Sequence, residues 1–308
     1  MAGGPAVDAL SPLAGRAVQA RRRRGRVGRA ARAVWWFTRR KPLGALGAAI
    51  VLAMLLMTVF AEAIAHYDYD ETIRGARMRP PGAAHWLGTD NLGRDMWSRI
   101  VYGARVSVTV GFATILLGTA LATAIGISSG YFGGVYDIAV QRVVDAWMSF
   151  PFLVIVLSVM AVLGPGLGNV ILSLSIIIAA NASRVIRGAA IQTSQQAYVE
   201  AARALGAAHA RILVRHILPN VTATIIILAT IGLGAVILAE SALSFLGFGV
   251  PPPYPSWGAM LSGSGRTYMF RAPWMAVWPG IAISLAVFGF NMLGDALRDI
   301  LDPRLRGS

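Results

Sequence analysis

The chain has 308 residues, of which 56% are hydrophobic and only 14% are charged. That charged fraction lies well below the roughly 25% that is usual for soluble domains. Together with a mean hydropathy of +0.61, it excludes a soluble fold and indicates an integral membrane protein. The chain contains no cysteine, which excludes disulfides and thiolate metal sites.

Residues 1–40 form a strongly basic leader that holds much of the net charge of +14. Such a cluster can bind nucleic acid, but its place directly before an apolar run favours an anchor against anionic lipid headgroups. A twin-arginine export signal is the weaker reading, because the leader is long and the apolar run that follows is long enough to span. We therefore predict a disordered cytoplasmic leader and no nucleic-acid partner. Its basic residues and those that follow up to the first apolar run are Arg16, Arg21, Arg22, Arg23, Arg24, Arg26, Arg29, Arg32, Arg39, Arg40 and Lys41.

Six apolar runs are long enough to cross a bilayer, which takes about 20 residues. They cover residues 43–65, 106–128, 138–163, 170–186, 221–243 and 275–293. The third run has the least certain limits, because Arg142, Asp145 and Ser149 interrupt it. We predict an all-α, multi-pass protein of the cytoplasmic membrane with about six transmembrane helices.

The basic leader places the N-terminus in the cytoplasm, and counting spans then places the C-terminus there too. This topology makes residues 66–105 and 244–274 external loops and residues 187–220 a cytoplasmic loop. The first external loop mixes both charge signs. It predicts folded loop structure or an interfacial helix near residues 96–103, held partly by pairs between arginines and carboxylates. The candidate residues are Asp90, Arg94, Asp95, Arg99 and Arg105.

Residues 200–220, with the sequence EAARALGAAHARILVRHILPN, are the most informative stretch. Glu200 falls in the opening turn of a predicted helix, where a carboxylate favours the macrodipole. Small residues at 201, 202 and 206 let another backbone approach, and Gly206 also permits a bend. We expect Pro219 to end this helix and to start the next span. An ordinary amphipathic connector is the alternative reading.

Polar residues inside the predicted spans are costly in lipid and usually face a bundle interior or water. Asn181 and Ser183 lie toward the inner end of the fourth span, Glu240 toward the outer end of the fifth, and Asn291 in the sixth. They are candidates for a translocation path or gate. The alternative is hydrogen bonding between helices, which we favour for Asn181 and Asn291. For Glu240 both readings stay open, and we predict pairing with Arg99 or Arg105.

Charged residues also gather at the C-terminal end of the sixth span, at Asp295, Arg298, Asp299 and Asp302. We expect a solvated surface there, with helix capping or contact with a partner as alternatives.

The chain lacks the residues for its own ATP site or metal site. Lys41 is the only lysine and precedes Pro42, whereas a P-loop needs a lysine after a glycine-rich turn. The four histidines, His66, His85, His209 and His216, show no ligand spacing. We therefore expect no catalytic residue, no metal and no cofactor in this chain.

The stretch from Glu200 through Gly206 to Leu218 and Pro219 is similar to the EAA motif of ABC importer permeases. The motif HWLGTDNLGRD at residues 85–95 resembles a signature of the dipeptide/oligopeptide/nickel group of these permeases. Further matches are ESALSFLG at 240–247, PSWG at 255–258 and NMLGDALRDILDP at 291–303. The resemblance covers roughly residues 41–306 and points to the C-type subunit. Trp86 stands where the group commonly has proline, and the leader is unusually long.

This resemblance implies a type I importer permease fold (MetI-like), with a permease domain at residues 41–308. It implies that residues 200–220 form a coupling helix that inserts into an ATP-binding subunit. The implied partners are a homologous second permease of B type, one or two ATP-binding subunits that hold ATP and Mg, an extracytoplasmic substrate-binding protein and membrane lipid. The implied coupling residues are Glu200, Ala201, Ala202, Arg203, Leu205, Gly206, Ala207, Arg211 and Pro219.

The function that follows is import of di- or oligopeptides by alternating access. Nickel or another small solute is the alternative within this class, since the external binding protein usually selects the substrate. An ion-driven secondary transporter is more distant, because no acidic pair lies at the midplane of the predicted spans. A membrane-embedded enzyme is weaker still, because the sequence holds no zinc motif and no constellation of His with carboxylates.

Overall fold

The computed structural model describes Trp35 and residues 37–301. Most of the predicted basic leader, and Asp302, Arg304 and Arg306, lie outside the described residues. Regular structure in the described part is helical, apart from one isolated bridge between Thr89 and Asp95. The helices are Pro42–Val59 (α1), Ala61–Ile64 (α2), Met96–Phe132 (α3), Gly134–Met148 (α4), Phe152–Leu163 (α5), Leu167–Ser194 (α6), Ala197–Ala204 (α7), His209–Ile212 (α8), Leu218–Phe245 (α9), Trp257–Met260 (α10), Arg266–Tyr268 (α11) and Trp274–Leu301 (α12), with π turns at Leu213–Ile217 and Leu261–Gly265.

Among the described residues, five helical segments are long and apolar enough to cross a membrane, and a sixth span results if the bent pair α4 and α5 is counted as one. The all-α fold class and the number of spans predicted from the sequence are thereby confirmed. Large apolar side chains such as Leu116 and Val162 are exposed on these helices, as expected for surfaces that face lipid or a neighbouring subunit.

The predicted third span, residues 138–163, is not one helix. α4 and α5 meet at an angle of 89° across residues 149–151, which we call the elbow. Pro151 causes the break, because proline lacks a backbone N–H and disfavours helical backbone at Phe150 before it. Hydropathy showed no sign of this break, because residues 138–163 form one apolar run.

The second span is longer than predicted. α3 runs without interruption from Met96 to Phe132, a length of roughly 55 Å at 1.5 Å per residue. A helix is present near residues 96–103, as expected, but it is the first part of α3 and continues into the span. Asp95 caps it by accepting a hydrogen bond from the Ser98 backbone N–H at 2.9 Å.

The bundle is built around the contact of α3 with α6. The two backbones approach closely at Gly126 and Gly130, where an added Cβ would lie 2.6 Å from the Ser183 carbonyl oxygen and 2.7 Å from that of Arg187. α9 packs against α3 and α12, and α1 packs against α12. The ends of these helices define two ends of the bundle. We call the end that holds residues 66–95 and 246–273 the loop end, and the end that holds α7 and α8 the Glu200 end.

Candidate functional site

The Glu200 end carries a helix-turn-helix segment. α7 begins at Ala197, so that Glu200 lies in its first turn. The helix ends in a Schellman turn: the Gly206 N–H donates to the Arg203 carbonyl at 2.9 Å, and the Ala207 N–H donates to the Ala202 carbonyl at 3.1 Å. Gly206 has φ +76°, which disfavours side chains. The bend expected at Gly206 is therefore present, and α8 follows it.

Three apolar side chains anchor this segment to the bundle. Val199, Ile212 and Ile217 are fully buried in a cluster with residues of α3, α6 and α9. Tyr131, near the end of α3, adds a polar contact, because its hydroxyl lies 2.8 Å from His209 Nδ1. The guanidinium of Arg203 lies over the Tyr131 ring, 4.8 Å from its centre. The segment is thus held against the bundle from one side.

The other side of the segment is open. Glu200, Ala201 and Arg211 are exposed, and Leu205 retains 87% of its accessible surface. A Cβ added at Gly206 would meet nothing within 4 Å. Ala202 and Ala207 are half-buried. This side, which we call the coupling face, joins small residues, an exposed leucine and charges of both signs.

Pro219 does not end the helix that precedes it, which corrects the sequence-based expectation. α8, the π turn and α9 form one continuous helical segment from His209 to Phe245. The Leu218 N–H reaches back five residues to the Leu213 carbonyl. The wider π turn accommodates the proline, whose ring would otherwise clash with the carbonyl four residues earlier.

The four candidate path residues do not form one cluster. Ser183 is buried and donates to the Ala180 carbonyl at 2.8 Å. Asn181 is exposed and donates to the Ile177 carbonyl at 3.0 Å. Asn291 is half-buried at the contact of α12 with α9, where a Cβ on Gly234 would lie 2.7 Å from its Oδ1. Of these three side chains, that of Asn181 lines two cavities at the elbow.

Glu240 does not pair with Arg99 or Arg105, so that prediction is wrong. Glu240 is 1% exposed as a residue, and hydroxyl groups hold its carboxyl group. Ser244 donates to Oε1 at 2.7 Å, and Ser107 of α3 donates to Oε2 at 3.1 Å. Ser241 adds a longer contact of 3.5 Å. A buried polar group satisfied in this way joins α9 to α3 near the loop end.

The charged residues of the first loop divide into two groups. Asp90 is the centre of one: its Oδ1 accepts the backbone N–H groups of Leu92 and Arg94 at 2.8 and 2.9 Å, and its Oδ2 accepts Arg94 Nε at 2.6 Å. Arg99 Nε lies 3.8 Å from Asp90 and donates from Nη1 to the Tyr69 carbonyl at 2.9 Å. This group fixes the turn before α3.

The second group contains Asp95 and Arg105, neither of which pairs with another predicted partner. Asp95 Oδ1 lies 3.0 Å from His85 Nδ1, a residue not predicted to take part. Arg105 donates to Glu62 Oε1 at 3.1 Å and to the Thr58 carbonyl at 2.9 Å. Arg105 therefore ties α3 to the end of α1 and to α2.

Aromatic residues connect the first loop to the second. The Trp257 indole is buried and donates to the Ile100 carbonyl at 3.0 Å, and it fits there because residue 103 is glycine. Tyr69 stacks on Tyr254, with ring centres 5.3 Å apart. Burial and the hydrogen bond with Tyr254 raise the pKa of the Tyr69 hydroxyl above its ordinary value. The two loops thus form one packed layer.

Two contacts near the Glu200 end escaped the sequence analysis. Asp137 of α4 accepts Arg187 Nε of α6 at 2.6 Å, which joins the start of α4 to the bundle. Tyr131 and His209 form the second contact. Asp137 and Arg187 both lie at the edges of predicted apolar runs, so the two charges were visible in the sequence. Their pairing depends on the packing of α4 against α6, which the sequence does not show.

Within the described residues, no group of three or more His, Asp or Glu side chains could hold a metal ion. At the last turn of α12, Asp299 pairs with Lys41 at the solvated surface.

Comparison with family models and curated proteins gives consistent matches. The model of the binding-protein-dependent transport system inner membrane component matches residues 122–307, and that of the N-terminal TM domain of oligopeptide transport permease C matches residues 31–81. The dipeptide transport system permease protein DppC of Alkalihalophilus pseudofirmus is 40% identical over 268 residues, 87% of this chain and 88% of that protein. The glutathione transport system permease protein GsiD of Escherichia coli is 39% identical over 279 residues, 89% and 90% of the two chains.

A solved structure shares the fold. A chain in an inward-facing structure of the MetNI methionine ABC transporter superposes with a TM-score of 0.51, over 67% of this chain and 97% of that chain. The sequence identity is 18%, so this likeness concerns the fold alone.

Proposed function

This chain belongs to the family of inner membrane components of binding-protein-dependent transport systems, and from that premise we propose that it is the permease subunit of an ATP-driven importer of di- or oligopeptides. The substrate class is supported by the relatives, whose names specify dipeptide and glutathione transport. Glutathione is itself a small peptide. The chain performs no covalent chemistry in this proposal.

The coupling face carries the proposal. Its exposed leucine, small residues and open space at Gly206 suit the close approach of another protein, and anchoring by Val199 and Ile212 lets a push reach the bundle. ATP and Mg are held by one or two separate ATP-binding subunits, because this chain has no P-loop lysine. A homologous second permease and an extracytoplasmic binding protein complete the complex.

The proposed orientation puts the Glu200 end, both termini and the basic leader in the cytoplasm. Arg184, Arg187, Arg203, Arg211 and Arg215 gather around that end, as the positive-inside rule expects. The loop end, with its packed layer of residues 66–95 and 246–273, then faces the binding protein.

The continuous helical segment from His209 to Phe245 links the two ends mechanically. It begins beside the coupling face and reaches the loop end, where Glu240 joins it to α3 through Ser107. Closure of the ATPase pair would move α7 and α8 together with this helix and tilt the spans between inward and outward access. Such bistable movement of packed helices is an established means of switching.

The test is reconstitution of the complex that this chain forms in its native membrane. Mild-detergent purification should recover a second permease, P-loop ATPases and a binding protein. In proteoliposomes, labelled dipeptide uptake should require ATP and the binding protein. Uptake that persists without ATP but collapses with the ion gradient would favour the secondary transporter. Uptake of nickel without uptake of peptides would overturn the proposed substrate.

A further inference from the structure

The helix α4 contributes little to the apolar core of the chain. Val144 is its one buried residue, and no side chain of α4 belongs to either apolar cluster of the described residues. Its outer face exposes Val135 and Val143. α5, the other half of the same bent pair, is anchored, because Val156 and Met160 are fully buried in the core. Apolar packing within the chain therefore holds α5 but not α4.

A cavity lies between α4 and the bundle. It has a volume of about 180 Å³, and its walls include Ile125 of α3, Val144 of α4 and Ala180 of α6. Protein interiors are normally close-packed, so the contact of α4 with these two helices is incomplete. α4 thus lies against the bundle without filling the space beneath it.

Both ends of α4 adjoin segments where the backbone can rotate. At its start, Gly133 and Gly134 have φ +63° and +57°, a conformation that L side chains rarely adopt. A Cβ at either glycine would meet nothing within 4 Å, so this turn is not packed against a neighbour. At the other end lies the elbow, whose three residues are exposed. α4 is therefore a helix of 15 residues between two joints.

Polar contacts hold α4 in place, and the stronger set lies next to the two glycines. Asp137 accepts Arg187 Nε of α6 at 2.6 Å and the hydroxyl of Ser129 of α3. Gln141 donates to Ser129 Oγ at 3.0 Å. We call these four residues the pivot cluster, because they fix the start of α4 to both α3 and α6.

The weaker contact lies two turns further along α4, where Asp145 pairs with Arg184 of α6. Both side chains are 44% exposed, whereas that of Asp137 is 14% exposed. Within the described part of the chain, Arg184 alone donates to the Asp145 carboxylate. Exposed pairs of this kind add little net stability. The far half of α4 is therefore held to α6 by a contact that can break.

α6 connects this contact to the coupling face. Arg184 lies in the last three turns of α6, which ends at Ser194. Two residues then lead to the start of α7 at Ala197. A displacement of α7 therefore acts directly on the part of α6 to which α4 is tied.

We propose that α4 is a mobile arm, which pivots at Gly133 and Gly134 and lifts from α6 in one step of the transport cycle by breaking the pair of Asp145 with Arg184. The pivot cluster stays intact, and α5 remains anchored in the core. A packed element with two discrete arrangements is an established means of switching. This inference rests on the proposed function, which supplies the ATP-driven step, and it identifies a segment that responds to the coupling face.

The test locks α4 onto α6 in the purified complex, reconstituted with its partner subunits in proteoliposomes. This chain has no cysteine, so Asp145→Cys with Arg184→Cys introduces the only two thiols when the other subunits are cysteine-free. A short, reducible cross-linker should join them and lower ATP-driven uptake of labelled dipeptide at least about tenfold, because a locked element cannot change state. Reduction should restore the uptake measured before cross-linking. Failure of the thiols to cross-link, or unchanged uptake afterwards, would overturn the arm.

Lys41→Cys with Asp299→Cys is the matched control. It replaces another ion pair at the Glu200 end, with side chains that are 41% and 40% exposed. That pair joins α1 to α12, which approach closely at Gly47, where an added Cβ would lie 2.7 Å from the Gly289 carbonyl oxygen. Cross-linking should therefore leave uptake unchanged. An equal loss in this control would mean that any cross-link stops transport, which would contradict a specific role for α4.

A distance measurement leaves both ion pairs in place. Nitroxide labels on Val143→Cys of α4 and Leu172→Cys of α6, both at exposed positions, report the separation of the two helices. This separation should differ between the nucleotide-free complex and the complex with a non-hydrolysable ATP analogue. Labels on Val162→Cys of α5 and Leu172→Cys should keep one separation. If the α4 pair also keeps one separation in both states, the arm does not move and the inference is wrong.

The outcomes separate this inference from the function on which it rests. If the wild-type complex fails to import peptides but the labels on α4 respond to the ATP analogue, the proposed substrate is wrong and the arm is supported. If the complex imports peptides and neither the cross-link nor the labels show movement of α4, the arm is wrong and the proposed function stands.

Discussion

The two ends of the bundle repeat one local motif in different surroundings. α7 ends in a Schellman turn at Gly206, with φ +76°, and α9 ends in the same turn at Gly247, with φ +90°. A Cβ at either glycine would meet nothing within 4 Å. Beyond the turns the ends diverge. The loop end closes over buried polar groups such as Glu240 and Asp90, whereas the Glu200 end leaves its coupling face exposed.

The difference separates structural roles from binding roles. At the loop end, the carboxylates of Glu240 and Asp90 are satisfied by hydrogen bonds within the chain, which gives these residues a structural role. At the Glu200 end, the anchoring residues are buried but the coupling face is exposed, as expected for a surface that a partner protein binds. The following predictions test this contrast.

Gly206→Trp should have the largest effect. The large side chain would cover the coupling face, with a loss of ~2 kcal/mol or more in docking and a fall in uptake of at least about 30-fold. Glu200→Lys should act in the same direction. The chain should still insert, and the measurement is ATP-dependent uptake together with ATPase subunits retained on purification.

Gly247→Trp is the matched control for that variant, because it forces the same strain in the same turn at the other end. It should retain the ATPase subunits. Equal loss of ATPase subunits from both variants would mean that strain in the turn, and not the coupling face, explains the effect. Normal uptake with Gly206→Trp would defeat the coupling assignment.

Glu240→Leu should destabilise the loop end most. It strands the hydroxyls of Ser107 and Ser244 in a buried site, at a cost of about 3 kcal/mol. Glu240→Gln keeps an acceptor and should cost about 1 kcal/mol. Both are measured by thermal unfolding of the detergent-purified complex and by uptake. Wild-type stability and transport in both variants would contradict the structural role of this cluster.

Tyr131→Phe should have an intermediate effect, confined to coupling. It removes the hydroxyl contact with His209 but keeps the ring beneath Arg203, a change of about 1 kcal/mol. Movement of the ATPase subunits should then be transmitted less completely to α7 and α8, so the number of ATP molecules hydrolysed per imported peptide should rise severalfold. Tyr136→Phe is the control, since it removes only an exposed bond to Ser128 Oγ. If Tyr131→Phe and Tyr136→Phe hydrolyse the same number of ATP molecules per imported peptide, the contact of Tyr131 with His209 does not serve coupling.

Asp299→Asn should have the smallest effect. The pair of Asp299 with Lys41 is partly exposed, and such ion pairs contribute about 0–1 kcal/mol. Unfolding at low and high salt should differ little between this variant and the wild type. A decrease in the free energy of unfolding well above about 1 kcal/mol would contradict this prediction, because it would mean that the exposed pair contributes substantially to stability.

The sequence was sufficient for the fold class and the bend at Gly206, because hydropathy and glycine chemistry act locally, and the resemblance of its motifs was sufficient for the family. It was insufficient for Glu240, whose partners are serines in its own turn and on α3, and not the arginines of the loop. The elbow at Pro151 was visible as a residue but lay inside an apolar run that hydropathy reads as continuous. The π turn before Pro219 was missed because proline was expected to end the helix, whereas a wider turn lets the helix continue through it.

The most direct test of the central claim is a single-cysteine cross-link at the coupling face. Leu205→Cys places a thiol at an 87% exposed position in a chain that has no other cysteine. In native membranes, a short bifunctional reagent should cross-link this thiol to a P-loop ATPase. A thiol at Gly75→Cys in the first loop should not be cross-linked to the ATPase. Labelling of residue 205 by an impermeant reagent from outside the cell, with no ATPase cross-link, would contradict the account.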